Sequence, residues 1–253
     1  ANTFTLAKML KQEGYVTGAF GKWGLGYPGS TGDPNNMGFD VFYGYNCQKL
    51  AHNSYPYHLW HNQSKVLLTG NEGSKKEQYA PDLIHQQAMH FLKQNKSNRF
   101  FMYLAYTLPH AELTSPHDSI YNIYNNIKEK EPYIGIDSGK GYKAGAYGSS
   151  LTPHADFAAM VTRLDAYVGD IMSELKQLGL EKSTIVIFTS DNGPHNEGGA
   201  DPDFFNSYGP LRGIKREMFE GGIRVPMIAS WPGMIKAGST SDYISAFWDM
   251  MPT

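Results

Sequence analysis

Thr184-Ile185-Val186-Ile187-Phe188-Thr189 is an unbroken run of β-branched and apolar residues, closed by Ser190-Asp191-Asn192-Gly193-Pro194-His195. Such a run predicts a short strand buried on both faces, as in a parallel sheet. The Asp-Asn-Gly group ends it in a turn. A carboxylate and an amide are thereby delivered at the carboxyl end of a strand, where open α/β sheets bind their ligands. Carboxylate and amide oxygens suit a hard divalent cation. Asp-Asn-Gly is equally good turn chemistry, so this segment alone leaves both readings open.

Working outward, Phe157, Met160, Val161, Leu164, Val168, Ile171, Met172 and Leu175 form one apolar stripe at helical spacing, stopped by Gly179. Phe100 to Tyr106 predicts a second buried strand, leading into Pro109-His110, and a helix from Pro81 to Lys93 precedes it. Near the start, Thr3 to Glu13 is loosely helical and Tyr15 to Phe20 reads as a strand. Val225 to Ser230 is a further buried strand. Helix and strand alternate, which predicts an α/β fold with a mainly parallel central sheet flanked by helices. Leu59-Trp60 and Val66 to Leu68 suggest a small hairpin around His61-Asn62-Gln63, Tyr27 to Asn53 a long irregular loop, and Ser119 to Ser150 a polar surface excursion.

The 253 residues suffice for one sizeable domain, and a net charge of −2 without a basic patch gives no support for nucleic-acid binding. No stretch is long and apolar enough to span a membrane. Cys47 is the single cysteine, which excludes an internal disulfide framework and a cysteine-rich metal site. The chain opens almost directly into a helix and stops at Asp249-Met250-Met251-Pro252-Thr253, where another is about to begin; truncation at both ends is expected.

Two further motifs carry charge. Gly21-Lys22-Trp23-Gly24-Leu25-Gly26 sets a lysine on a glycine-broken turn after the first strand. Leu211-Arg212-Gly213-Ile214-Lys215-Arg216 precedes Glu220-Gly221-Gly222-Ile223-Arg224-Val225-Pro226, and its glycine pair would let backbone approach a ligand closely. Arg212, Lys215 and Arg216 could recognise a tetrahedral oxyanion, or simply pair with Glu217 and Glu220. His110 could contact such an anion or protonate a leaving group.

In this order, the Gly21-Lys22, Pro109-His110, Ser190-Asp191-Asn192-Gly193, Leu211 to Lys215 and Glu220 to Pro226 motifs resemble the type I sulfatases of the alkaline phosphatase superfamily, arylsulfatases and N-acetylgalactosamine-6-sulfatases among them. The likeness runs from Thr5 to Thr253, and Asn46-Cys47-Gln48 with Ala51-His52-Asn53 further resembles bacterial carbohydrate and aryl sulfatases. It implies a partial sulfatase catalytic domain over residues 1–253, without the N-terminal nucleophile and metal segment and without the C-terminal subdomain. It also implies a calcium ion, with magnesium as the other candidate, held in part by Asp191 and Asn192. Lys22, Lys215 and His110 would act on the sulfate, with His52, His195 and Arg212 as substrate contacts. The nucleophile would be a formylglycine made from a Cys/Ser-x-Pro-x-Arg motif upstream of Ala1; Cys47 lacks that motif and is expected to be structural.

Gly24 stands where many relatives have histidine, leaving His52 or His195 as candidate acids for the leaving alcohol. The substrate implied is a small-molecule or glycan sulfate ester and the location periplasmic or secreted; the residues are silent on oligomeric state. A phosphate or phosphonate ester hydrolase of the same superfamily and a non-catalytic sulfated-glycan-binding relative are the competing readings. The 253 residues alone are expected to be inactive.

Overall fold

Thr5 caps the first helix, α1 (Leu6–Gln12), its hydroxyl accepting from Lys8 N at 3.2 Å. From there the computed structural model describes residues 3–253. Ala1 and Asn2, at the head of the expected 1–253 domain, lie outside the described residues. The chain continues through β1 (Val16–Lys22), β2 (Val41–Tyr45), β3 (His58–His61), β4 (Ser64–Leu67), α2 (Ala80–Gln94) and β5 (Phe100–Ala105). Next come α3 (Ser119–Asn122), α4 (Gly139–Lys143), α5 (Pro153–Gln177), β6 (Val186–Thr189), α6 (Glu220–Ile223) and β7 (Met227–Ser230).

Five strands form one sheet in the order β4-β3-β2-β1-β5. β1 runs parallel to β2 and β5 on its two sides, and β3 and β4 extend the sheet antiparallel. Successive residues of a strand point to opposite faces, and the core divides accordingly. Phe20, Tyr43, Tyr45 and Leu59 pack with Ile84, Ala88 and Phe91 of α2. Ala19 and Phe42 pack on the other face with Ala7 of α1 and Phe39. α5 covers α2 in turn, with Ile171 and Leu175 against Leu92. Each buried Leu, Ile or Phe stabilises this sandwich by about 1.5–3 kcal/mol. The α/β class and its flanking helices are as expected.

Four expectations change. The Gly/Pro/Asn/Asp-rich stretch 27–53 predicts loop but contains β2, whose four apolar residues Val41, Phe42, Tyr43 and Tyr45 make it a central neighbour of β1. β5 pairs with β1 alone among the described residues, so its outer side is open and Tyr103 is 46 % exposed. β6 and β7 do not join the parallel sheet but pair antiparallel with each other, leaving Ile187, Phe188, Met227 and Ile228 exposed. A short continuous apolar run specifies a strand but not its partner or buried face, which is why the two runs misled.

The fourth concerns the excursion 119–150, which is not mere surface. Tyr121 and Tyr142 are buried, and Tyr133 and Ser150 pair through two backbone hydrogen bonds of 2.8 and 3.0 Å. Arg163 of α5 holds its start, pairing with Asp118 and, at 3.0 Å, with Asp82 of α2.

Candidate active site

Lys22 is the last residue of β1 rather than part of the turn beyond it, in register with Tyr45. Gly21 makes that possible. Its φ is +124°, and a Cβ there would lie 1.9 Å from Ala105 O, so only glycine lets β5 pair with β1 up to the residue before Lys22. Pro109-His110 leaves β5 and Asp191-Asn192 leaves β6, so three motifs emerge at carboxyl ends of strands.

The glycine motifs act as a seam between chain segments. Gly193 N donates to Gly222 O at 2.9 Å, Gly221 N to Arg212 O at 2.7 Å, and Lys215 N to Pro194 O at 2.8 Å. A Cβ on Gly193 would stand 1.8 Å from Gly221 O. The close approach expected of backbone to ligand is therefore chain against chain, and it brings the Lys215 loop beside the Asp191 turn.

At the seam a charged cluster forms. Lys215 Nζ lies 2.9 Å from His110 Nε2 and 3.4 Å from Glu197 Oε2. Glu197 also pairs with Arg216 and accepts from the Tyr147 hydroxyl at 3.2 Å. The cations thus have Glu197 as partner. Glu217 instead accepts from Ile214 N at 2.9 Å, and Glu220 pairs with Arg224 at 3.7 Å. Burial alone would push the Glu197 carboxyl up, but Lys215 and the Arg216 guanidinium outweigh it and hold it down at about 2.

Three histidines stack in a row, His52 on His110 at 5.3 Å between ring centres and His110 on His195 at 5.6 Å. Burial, reinforced by Lys215 and Lys22 against the opposing Ala111 carbonyl, lowers His110 to about 4, so it is neutral at pH 7. Its partners then assign the tautomer. Nδ1–H donates to Ala111 O at 2.5 Å, and Nε2 accepts from Lys215. His195 is likewise lowered by burial, and both its nitrogens are engaged: Nε2–H donates to Pro109 O at 3.1 Å and Nδ1 accepts from Glu197 N at 3.2 Å. His52, lowered by burial too, donates from Nδ1 to Gly145 O at 3.0 Å. Its Nε2 has no hydrogen bond among the described residues and is an unprotonated acceptor in this tautomer, so of the two candidate histidines only His52 keeps a free ring nitrogen.

Lys22 is pulled down by burial and by nearby Lys215, against the attraction of Asp191 and Glu197. Two neighbouring ammonium groups, half-withdrawn from water, make a site that demands an anion. Arg212 stands apart, exposed, its guanidinium 3.9 Å from the centre of the Phe219 ring. Cys47 is exposed, contrary to the structural role expected of it.

Asp191 is exposed and Asn192 half-buried. The Asn192 amide nitrogen donates to Gly193 O at 2.8 Å, which leaves its side-chain oxygen as the free end. Both oxygens fit a hard cation, but two are too few for the six to eight that calcium takes. Among the described residues no group of three or more His, Cys, Asp or Glu side chains could hold a metal ion.

Glu197 and Tyr147 were missed in the sequence. Glu197 sits two residues beyond His195, and Tyr147 lies in Gly145-Ala146-Tyr147-Gly148, where tyrosine-rich composition was the one hint.

The sequence model of the sulfatase family matches residues 1–253. The chain belongs to the sulfatase family. It is 30 % identical to N-acetylgalactosamine-6-sulfatase of Canis lupus familiaris over 98 % of this chain and 43 % of that protein. It is 28 % identical to an arylsulfatase of Hemicentrotus pulcherrimus, over 96 % of this chain and 40 % of that one. Among solved structures it resembles Ps i-CgsB in complex with k-i-k-neocarrahexaose, with a TM-score of 0.70 and 30 % identity over 92 % of this chain and 48 % of the other. This sulfatase chain spans about half the length of the relatives it matches. The motif order that suggested the family thus identified it correctly. Among the described residues no helix is long and apolar enough to cross a membrane.

Proposed function

We propose that the whole protein of which these residues form a part hydrolyses the sulfate ester of a glycan or aryl alcohol and releases inorganic sulfate. The observation that carries this reading is the Lys215–His110 contact at 2.9 Å beside a half-buried Lys22, within a sulfatase chain. Residues 1–253 would be part of a catalytic domain completed by further nucleophile, metal and C-terminal segments.

Sulfuryl transfer builds negative charge on the equatorial oxygens and on the leaving oxygen, so preorganised positive charge accelerates it. Lys215 has three N–H donors. One points to neutral His110 and one to Glu197, and the third is available to a sulfate oxygen. Lys22 supplies a second ammonium from the end of β1. Asp191 and Asn192 would hold part of a calcium or magnesium ion, which when bound supplies Lewis-acid polarisation of the sulfate. The nucleophile would be a formylglycine outside these residues. His52, through its free nitrogen, is the better placed of the two histidines to meet the leaving alcohol, while Arg212 and His195 would act at the periphery.

A sulfated sugar is the favoured substrate. Support comes from the N-acetylgalactosamine-6-sulfatase likeness, from the relative solved with neocarrahexaose, and from the aromatic wall of Tyr147 and His52, 4.9 Å apart. A periplasmic or secreted location goes with the same reading.

The test is sulfate release by the complete protein, matured with a formylglycine-generating enzyme, from an aryl sulfate and a panel of sulfated sugars. Release abolished by a calcium chelator and by Asp191→Ala supports the reading. Verified formylglycine with no sulfate released from any ester overturns it, and a phosphate ester turned over instead would select the phosphohydrolase.

A further inference from the structure

Glu112 is 1 % exposed and has no ion-pair partner among the described residues. Its Oε1 accepts from Ser54 N at 2.8 Å and from the Tyr142 hydroxyl at 2.9 Å, and its Oε2 accepts from Gly148 N at 2.7 Å. Its own N–H donates to His52 O at 3.0 Å. Burial pushes this carboxyl up, and the Ser54 N–H, the charge of Lys76, the Gly148 N–H and the Tyr142 hydroxyl oppose it. A carboxylate with no cation in contact is a costly way to fill a core, since its hydrogen bonds must carry most of the compensation.

What those bonds hold is a strap. Residues 142–148 lie across His52: Gly145 O accepts from His52 Nδ1 at 3.0 Å, and Ala146 O from Asn53 Nδ2 at 2.7 Å. Tyr147 then leans on the His52 ring and reaches Glu197. The strap lies flush, for a Cβ on Gly145 would be 2.1 Å from Lys49 O and one on Gly148 would be 2.5 Å from Glu112 Oε2. Glu112 also sits two residues beyond His110, so its side chain holds the strap while its backbone joins the segments that carry His52 and His110.

We propose that Glu112 is a positioning residue: it fastens residues 142–148 over His52, and the wall so formed holds the organic part of the ester. The inference rests on the sulfatase reading for its substrate, though not for the fastening. Sulfate takes Lys22 and Lys215; the strap's own cation, Lys143, lies over the Tyr57 ring, and the carbonyl and aromatic surface against His52 is uncharged. That surface is left for the alcohol portion. Loss of Glu112 therefore weakens binding of a sulfated sugar more than it slows sulfuryl transfer.

Glu112→Gln keeps the size but sets an amide N–H against one of the backbone N–H donors. In the complete, matured protein it is expected to raise KM for a sulfated oligosaccharide tenfold or more while kcat falls less than threefold. Trypsin is expected to cut after Lys140 or Lys143 sooner than in the parent. Glu112→Asp, which restores a carboxylate, recovers part of the KM. Should Glu112→Gln fail to fold, Tyr142→Phe removes a single donor and is expected to raise KM several-fold at constant kcat. Unchanged KM and unchanged trypsin protection in the variant that folds overturn the proposal, as does a fall in kcat at constant KM. If the parent releases no sulfate, the functional reading fails by itself. The trypsin comparison then decides the fastening: faster cleavage upholds it and equal cleavage overturns it.

Discussion

Lys215 Nζ and His110 Nε2 stand 2.9 Å apart across 105 residues of sequence, with the ring as acceptor and the ammonium as donor. The pairing follows from His110 being neutral, because an imidazolium would confront the lysine with a second positive charge. His110 thereby aims Lys215 rather than competing with it for an anion. Each residue emerges on a different loop, and the Gly193–Gly222 seam is what makes them meet.

Replacing Lys215 or Lys22 with alanine in the complete enzyme should lower kcat by roughly 10²–10³, the loss expected for one preorganised oxyanion donor. Single-turnover sulfate release measures it. A deficit under tenfold would remove that lysine from the sulfate site.

Stability should sink between pH 6.5 and 4 on account of His110. The folded state holds this ring at about 4 against an ordinary 6.5. In that window the unfolded chain binds a proton that the folded chain refuses, so stability falls as pH falls. His110→Gln should flatten this part of a plot of Tm against pH; an unaltered slope would mean the ring is not depressed.

Glu197 acts at lower pH. Its carboxyl is held at about 2 against an ordinary 4.5, so its stabilisation is complete above pH 4.5 and disappears as pH falls toward 2. Acid unfolding followed by circular dichroism should therefore begin at higher pH in Glu197→Gln. Coincident acid transitions for parent and variant would contradict the ion pairs drawn here.

Gly193→Ala should be among the most damaging small substitutions, because its Cβ would fall 1.8 Å from Gly221 O. The loss is about 3 kcal/mol, at the top of the overpacking range. Urea unfolding gives the number, and a change under 1 kcal/mol would show that the seam can open.

Local signals were legible in the sequence. The stripe from Phe157 to Leu175 is helix α5, and the ordered motifs placed Lys22, His110, Asp191 and Asn192 at strand ends. Pairing was not legible. Nothing local to Val186–Thr189 says that its neighbour is Met227–Ser230, and Val41–Tyr45 was hidden by the turn residues around it. Glu197 was hidden for a related reason. Its partners Lys215 and Arg216 are far nearer in sequence to Glu217 and Glu220 than to Glu197, so proximity along the chain chose the wrong carboxylates. The histidine row was equally invisible, since stacking depends on three loops meeting.

The backbone pair between Tyr133 and Ser150 gives the strap a closed neck, entered and left at one point. Inside that neck the exposed residues 138–141 can change length at little entropic penalty, because closing a longer loop costs only logarithmically more. The glycine seam that assembles the lysines lies outside it. Tyr147 alone carries the segment across to the lysine cluster, through Glu197. Grafting the residues between Tyr133 and Ser150 from one relative to another would therefore exchange the wall beside His52 while leaving the seam untouched.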